Sequence, residues 1–166
     1  MPTLLWDASA LAKRYVPETG SETVEALFTI APPPQMVTTP LGYAETFSLL
    51  LRRMNGGSIS TATFTIAISA LQAEVINSMD VMLLTVEDTA ILAGISLMQR
   101  HNVNASGAAI LATFLRYAQA RLAAMVPCIL VAADKRLVRA AEAEGLKTLN
   151  PELVLAADVP GFLASA

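Results

Sequence analysis

Two short segments near the ends of the chain constrain its fold most, because each joins an apolar run to a lone aspartate and a helix-like segment. Residues 3–6 lead into Asp7, and residues 128–133 lead into Asp134. Apolar runs of this length are typical of buried strands, and strands that alternate with helices form parallel sheets. The carboxyl ends of parallel strands lie at one edge of the sheet, so we expect Asp7 and Asp134 to lie close together there.

The same alternation of strands and helices continues along the chain. Strands are predicted at residues 3–6, 36–39, 81–86, 128–132 and 147–149, and helices at residues 7–15, 21–30, 41–53, 58–77, 87–101, 108–124 and 134–144. Residues 32–34 are three prolines, which predict a stiff connector. The sequence therefore predicts an α/β protein with a three-layer α/β/α fold around a central, mainly parallel sheet of four or five strands. We expect a single domain over residues 1–166, with the tail at residues 151–166 packing on it.

The composition indicates that much of the chain is buried, since 54% of its residues are hydrophobic and only 15% are charged. Residues 58–77 carry a single charge, Glu74, and their apolar side chains fall on more than one helix face. Such a helix must be covered by the core, by a second copy of the chain or by another protein. The net charge of −3 gives no overall attraction to nucleic acid, so any such contact depends on local basic clusters.

The N-terminal residues and the cysteine content bear on where the protein acts. Residues 1–3 lack the basic start of a secretory signal, and Asp7, Lys13 and Arg14 interrupt the apolar segment that follows. Cys128 is the only cysteine, which excludes an internal disulfide and favours a reducing compartment. We therefore expect a cytoplasmic protein without a membrane partner.

Asp7, Glu45 and Asp134 are the acids best placed to carry chemistry. Asp7 and Asp134 each precede a helix, where aspartate is also a favoured N-cap. Glu45 lies in an otherwise apolar helical stretch, where a carboxylate either faces solvent or has a functional role. Because like charges repel, carboxylates gathered at one sheet edge indicate a divalent cation. For Asp7 and Asp134 the N-cap and the metal-ligand interpretations are compatible, since a capping carboxylate can also face a metal.

Basic residues follow each of these three acids in the sequence. Seven of the eleven lysines and arginines do so: Lys13, Arg14, Arg52, Arg53, Lys135, Arg136 and Arg139. Cations near a metal centre suit a polyanionic substrate, although basic residues are also common on exposed helix faces. The sequence contains no P-loop, no dinucleotide-binding glycine pattern and no zinc-ligand spacing.

Three motifs occur in a specific order and spacing. They are residues 6–18 (WDASALAKRYVPE), residues 43–45 with 51–53 (YAE and LRR), and residues 133–137 (ADKRL). Taken together, they resemble the motifs of PIN-domain ribonucleases, and within that family the VapC-like toxins of toxin–antitoxin modules. The resemblance extends over nearly the whole chain.

The resemblance implies a PIN-like fold and a metal-dependent endoribonuclease, the toxin of a toxin–antitoxin system. In that family three or four acids gather around Mg²⁺ or Mn²⁺, which activates water to hydrolyse RNA phosphodiester bonds. Asp7, Glu45 and Asp134 match three of those acids and would be both metal ligands and catalytic residues. The resemblance also implies two protein partners, a cognate antitoxin and a second copy of the chain in a homodimer. Candidate RNA contacts are Lys13, Arg14, Arg52, Arg53 and Lys135.

The chain departs from the family at the position of the remaining acid. The family usually has an aspartate where residues 106–112 (SGAAILA) place Gly107. The hydroxyl of Ser106 is a neutral and weak Mg²⁺ ligand compared with a carboxylate. Three explanations stay open: a natural enzyme with weakened activity, a protein that only binds, and a chain that carries an inactivating change.

Two other functions compete with the ribonuclease hypothesis. A degenerate PIN domain would bind RNA or an antitoxin partner without catalysis, and Gly107 favours this alternative. A phosphatase-like or DNA-directed hydrolase would use the same metal chemistry on another substrate. The sequence identifies neither the RNA target nor the metal that is used in the cell.

Overall fold

The computed structural model describes residues 1–31 and 33–165, and these contain one parallel five-stranded sheet. Its strands are β1 (Thr3–Trp6), β2 (Gln35–Thr38), β3 (Val81–Leu83), β4 (Cys128–Val131) and β5 (Lys147–Leu149). The strand order is β3-β2-β1-β4-β5, which places β1 at the centre of the sheet. Leu5 of β1 is in register with Val37 of β2 and with Leu130 of β4.

Helices connect successive strands, because parallel strands need a crossover connection. They are α1 (Ala8–Leu11), α2 (Ser21–Thr29), α3 (Pro40–Asn55), α4 (Thr61–Leu71), α5 (Asp88–His101), α6 (Ala105–Ala123), α7 (Lys135–Ala143) and α8 (Val159–Ala164). Tighter 3₁₀ turns occupy Ala12–Arg14 and Ala156–Asp158, and a wider π-helical turn occupies Gln72–Ile76. The element order therefore follows the alternation that the sequence predicts.

Both faces of the sheet are covered by helices. Because side chains alternate along a strand, Leu4 and Trp6 of β1 face one side and Leu5 faces the other. The first side packs against residues from α1, α2, α3, α4 and α8, and the second against residues from α5, α6 and α7. The predicted three-layer α/β/α fold with a central parallel sheet is confirmed.

The helix predicted at residues 58–77 starts later than expected, although its helical structure reaches Ile76, next to the predicted end. It begins at Thr61, because the hydroxyl of Ser60, and not that of Ser58, caps it by accepting the Thr63 backbone N–H at 3.0 Å. The regular helix stops at Leu71, after which the chain widens into the π-helical turn. The strand predicted at residues 81–86 is also shorter, ending at Leu83.

The core covers most of the apolar side chains in this segment. Leu71 and Val75 are buried, and Phe64 and Ile68 pack against the same core, whereas Ile66 is 72% exposed. Larger exposed apolar surface lies on β3 and α5 instead, at Met82, Leu83, Ile91, Leu92 and Ile95. A surface for a second copy or another protein is therefore better sought on β3 and α5 than on α4.

The C-terminal tail packs against α2. The Thr23 hydroxyl donates a hydrogen bond to the Val154 carbonyl at 2.6 Å, and Val159 and Leu163 of α8 are buried in the core. Pro32, within the predicted proline connector, and Ala166, the last residue of the tail, lie outside the described residues.

Candidate functional site

Asp7 and Asp134 lie together at the carboxyl edge of the sheet. Asp7 follows β1 and Asp134 follows β4, and these neighbouring strands are held in register through the Asp7 N–H, which donates to the Val131 carbonyl at 3.1 Å. The strand order changes direction between β1 and β4, because the chain first builds β2 and β3 on one side and then returns to the other. Open α/β sheets bind ligands in the crevice at such a switch point.

Helix α3 brings Glu45 to the same edge. The helix starts directly after β2, where the Thr39 hydroxyl caps it by accepting the Gly42 N–H at 2.9 Å. A Cβ on residue 42 would lie only 2.9 Å from the Thr38 hydroxyl oxygen, so Gly42 allows the first turn of α3 to approach the sheet closely. Glu45 follows within the next turn, which places its carboxylate beside the strand ends.

The three carboxylates line one cavity of about 380 Å³. The cavity lies between α1, α3, the first turn of α6 and the start of α7. Its lining combines acids, small polar side chains and two arginines: Asp7, Ala8, Ser9, Glu45, Ser48, Leu49, Arg52, Val103, Asn104, Gly107, Asp134, Arg136 and Leu137. The predicted acid set is thus brought together, with cations in the same lining.

Serine hydroxyls hold one oxygen of Asp7 and one oxygen of Glu45. The Asp7 Oδ2 accepts the Ser9 backbone N–H at 2.9 Å and also the Ser9 hydroxyl. The Ser106 hydroxyl donates to Glu45 Oε1, which joins the start of α6 to α3. Both serines therefore restrict the orientation of a site carboxylate.

Asp134 is also held through only one of its carboxylate oxygens, as the N-cap of α7. Its Oδ1 accepts the backbone N–H groups of Arg136 at 2.8 Å and Leu137 at 3.2 Å. Within residues 1–31 and 33–165, no hydrogen bond or ion pair engages the other oxygen of any of the three acids. Each carboxylate thus keeps one oxygen available to a ligand.

Asp7 is the most deeply buried of the three acids. Its side chain is only 5% exposed, and this burial raises its pKa above the ordinary value of 3.8. The hydrogen bonds from Ser9 lower the pKa, whereas the charges of Glu45 and Asp134 raise it further. A cation in the cavity would relieve both the desolvation and the repulsion.

The donor set fits a divalent cation in its chemistry. Mg²⁺ and Mn²⁺ prefer oxygen ligands, and the free oxygens of Asp7, Glu45 and Asp134 line the same space. However, no three acidic, histidine or cysteine side chains in the described part of the chain converge as closely as preformed metal ligands do. The side chains would have to close in around a cation.

Gly107 lies in the first turn of α6 and lines the cavity. Its N–H donates at 2.7 Å to the Asn104 Oδ1, which caps the helix. A Cβ on residue 107 would lie 2.8 Å from that same Oδ1, so any side chain there requires Asn104 to move. Asn104 is exposed and can rotate, so the position is able to accept a carboxylate at the cost of the cap.

Three of the predicted RNA contacts take part in internal ion pairs. Lys13 is only 4% exposed, and its ammonium lies 2.7 Å from Glu152. Arg53 pairs with Glu18 at 2.7 Å, and Arg14 pairs with Glu25 and Glu74 while it stacks over the Phe28 ring. These three cations stabilise the contacts between elements of the fold.

Arg52 and Lys135 are placed differently from those three. Arg52 lines the cavity, where its guanidinium donates to the Ser48 hydroxyl at 2.8 Å, and Lys135 is exposed at the start of α7. Arg136 also lines the cavity, although it is not among the predicted RNA contacts. Arg52 and Arg136 are therefore the cations nearest to the acids in this lining.

Sequence reasoning missed the site roles of Ser9, Asn104 and Arg136. A signal for Ser9 exists in the sequence, because a serine two residues after an N-capping aspartate can reach its carboxylate. The contacts of Ser106 with Glu45 and of Arg136 with the cavity join segments far apart in sequence, so no local pattern could indicate them.

No protein-family model matches this chain, and no curated protein matches it at a significant level. No helix in the described residues is both long and apolar enough to span a membrane.

Proposed function

We propose that this protein is a metal-dependent endoribonuclease, the toxin of a toxin–antitoxin system. The observation that carries the proposal is the cavity at the switch point of the sheet, where Asp7, Glu45 and Asp134 each keep one oxygen free. The motif resemblance to PIN-domain ribonucleases adds the RNA substrate, which the geometry of the cavity does not specify by itself.

The roles of the chain's own residues follow from their hydrogen bonds. Asp7, Glu45 and Asp134 would hold Mg²⁺ or Mn²⁺ through the oxygens that the protein leaves free. The chemistry supplied by a bound cation of this kind is activation of water and neutralisation of charge at the scissile phosphate. Ser9 and Ser106 keep two of the carboxylates turned so that their second oxygens are available.

The substrate backbone would enter along the arginines of the lining. Arg52 and Arg136 can each donate to phosphate oxygens, and guanidinium groups do so with two parallel hydrogen bonds. Lys135 is exposed beside them and extends the basic surface. Since the net charge is −3, this local cluster would have to supply the attraction to RNA.

The test is cleavage of a mixed RNA in Mg²⁺ and in Mn²⁺, with EDTA controls, by the wild type and by Gly107→Asp. Gly161→Asp is the matched control, because a Cβ on that helical glycine meets nothing within 4 Å. Metal-dependent cleavage by the wild type supports the proposal, provided that Asp7→Asn abolishes it. Cleavage by Gly107→Asp alone would support the site and identify Gly107 as an inactivating change. Gly161→Asp should behave as the wild type does.

The second candidate function is binding without catalysis. Gly107 and the open spacing of the three acids favour it, because both leave the site short of a complete ligand set. Folded protein that cleaves in none of these forms, but retains RNA in a filter-binding assay, would support this candidate and reject the enzyme.

Two partners belong to the proposal, a cognate antitoxin and a second copy of the chain. The exposed apolar residues of α5, Ile91, Leu92 and Ile95, offer the kind of surface that a homodimer would bury. A cytoplasmic location is part of the same proposal and rests on the sequence alone.

A further inference from the structure

The Ser9 hydroxyl lies where the carboxyl ends of β1 and β4 meet. It donates a hydrogen bond to the Asp7 carboxylate, and its oxygen accepts the backbone N–H groups of Ala133 at 2.9 Å and Asp134 at 3.1 Å. One side chain thus contacts both segments that carry the aspartates of the site.

These three hydrogen bonds fix the direction of the hydroxyl proton. A serine hydroxyl has one proton and two lone pairs. Because two N–H groups occupy the lone pairs, the proton is left for Asp7 Oδ2. The carboxylate of Asp7 is therefore held by an oriented donor, with its Oδ1 left for a ligand.

We propose that Ser9 is a positioning residue that sets the separation of Asp7 and Asp134 for divalent-cation binding. This inference rests on the proposed function, since it concerns the same carboxylates. Ser9 ties the Asp7 side chain and the backbone that leads into Asp134 to one oxygen atom. Without the hydroxyl, Asp7 and Asp134 would keep their backbone N–H donors and the strands that precede them, but no hydroxyl would join the two segments.

The fold does not depend on this hydroxyl. The strand ends are also joined by the Asp7 N–H to the Val131 carbonyl at 3.1 Å and by the Ala132 N–H to the Leu149 carbonyl at 3.1 Å. The Ser9 backbone N–H would still donate to Asp7 in an alanine variant. Ser9→Ala should therefore fold and lose mainly the mutual placement of the two aspartates.

The experiment measures Mn²⁺ affinity by electron paramagnetic resonance in the wild type, Ser9→Ala, Ser9→Thr and Ser21→Ala. Ser21 is the matched control, because its hydroxyl also bridges two backbone groups, the Lys13 carbonyl at 2.7 Å and the Glu18 N–H at 2.9 Å, outside the cavity. Ser9→Ala should bind Mn²⁺ about 10-fold or more weakly, as loss of a residue that orients a ligand typically does. Ser9→Thr and Ser21→Ala should bind as the wild type does.

Amide hydrogen exchange gives a second readout that needs no metal. In Ser9→Ala the N–H groups of Ala133 and Asp134 should exchange faster, while those within β1 and β4 keep wild-type rates. Equal Mn²⁺ affinity in the wild type and Ser9→Ala, or equal exchange at the two amides, would overturn the role of Ser9 and leave the proposed ribonuclease intact. A wild type that binds no Mn²⁺ would instead reject the metal-dependent function, and the role of Ser9 with it.

Discussion

Replacement of Lys13 by methionine should destabilise the protein more than any other single removal of a cation. Lys13 is 4% exposed, and its ammonium lies 2.7 Å from Glu152 and 3.4 Å from Glu18. Methionine keeps the apolar part of the side chain but leaves the two carboxylates without their shared cation. The contact joins the segment after α1 to the C-terminal tail, which are distant in sequence.

The expected cost lies between those of a buried and an exposed ion pair. Removing one partner of a buried pair costs about 3–5 kcal/mol, and exposed pairs contribute about 0–1 kcal/mol. The side chain of Glu152 is 33% exposed, so water solvates its carboxylate once the ammonium is gone, whereas the Glu18 Oε1 that faces Lys13 is buried. Glu18 also keeps its pair with Arg53 at 2.7 Å. We therefore expect a loss of about 2–3 kcal/mol in the free energy of unfolding.

Urea unfolding followed by tryptophan fluorescence measures this loss. Trp6 is the only tryptophan and is 1% exposed in the core, so its emission reports global unfolding. Arg116→Met is the matched control, because both Arg116 and its partner Glu87 are 54% exposed, and it should leave the unfolding midpoint within error of the wild type. If Lys13→Met unfolds at the same urea concentration as Arg116→Met, the argument that the buried cation anchors the tail is refuted.

Three further predictions concern the site and the surface. Burial, followed by the neighbouring carboxylate charges, raises the pKa of Asp7 above 3.8, so its ionisation opposes folding. In EDTA, the free energy of unfolding of Asp7→Asn relative to the wild type should rise as the pH rises from 3.8 to the raised pKa of Asp7, and stay constant at higher pH. Urea midpoints at acidic and neutral pH that show no such gain would contradict this. Asn104→Ala removes the N-cap of α6 and should cost about 1 kcal/mol in urea unfolding, whereas a cost near zero would mean that the cap is dispensable. Sedimentation at micromolar concentration should give a dimer for the wild type, a monomer for Ile91→Glu and a dimer for the control Ile66→Glu; a monomeric wild type would reject the homodimer.

The sequence predicts the layers, and the convergence of Asp7, Glu45 and Asp134 on one cavity, because their signals are local. Asp7 and Asp134 each end an apolar run and cap the next helix, and both contacts span only a few residues. Parallel strands then bring their carboxyl ends together in any fold of this class. The position of Glu45 follows similarly, since α3 begins directly after β2.

The partners of the basic residues could not be predicted in the same way. Lys13, Arg14 and Arg53 resemble cations placed for a substrate when only their distance from the acids along the chain is known. Their carboxylate partners come from the loop before α2, from α2, from the π-helical turn and from the tail, and these contacts depend on how the elements pack. The sequence likewise left open what covers residues 58–77. In the structure the core covers Leu71 at the end of α4 and Val75 within the π-helical turn.

The charge balance of the cavity connects these observations. In the part of the chain that the structure describes, neither Asp7, Glu45 nor Asp134 forms an ion pair, although basic residues follow each of them in the sequence. Hydroxyl or backbone N–H donors hold one oxygen of each carboxylate. At Asp7 these dipoles offset only part of the burial and the repulsion that raise its pKa. A cation from solution would compensate the charge that these donors leave. A carboxylate at residue 107 would strengthen the attraction of a cation. RNA cleavage by Gly107→Asp in Mn²⁺ would therefore indicate a site that lacks one ligand, whereas RNA binding without cleavage would indicate a site that binds without catalysis.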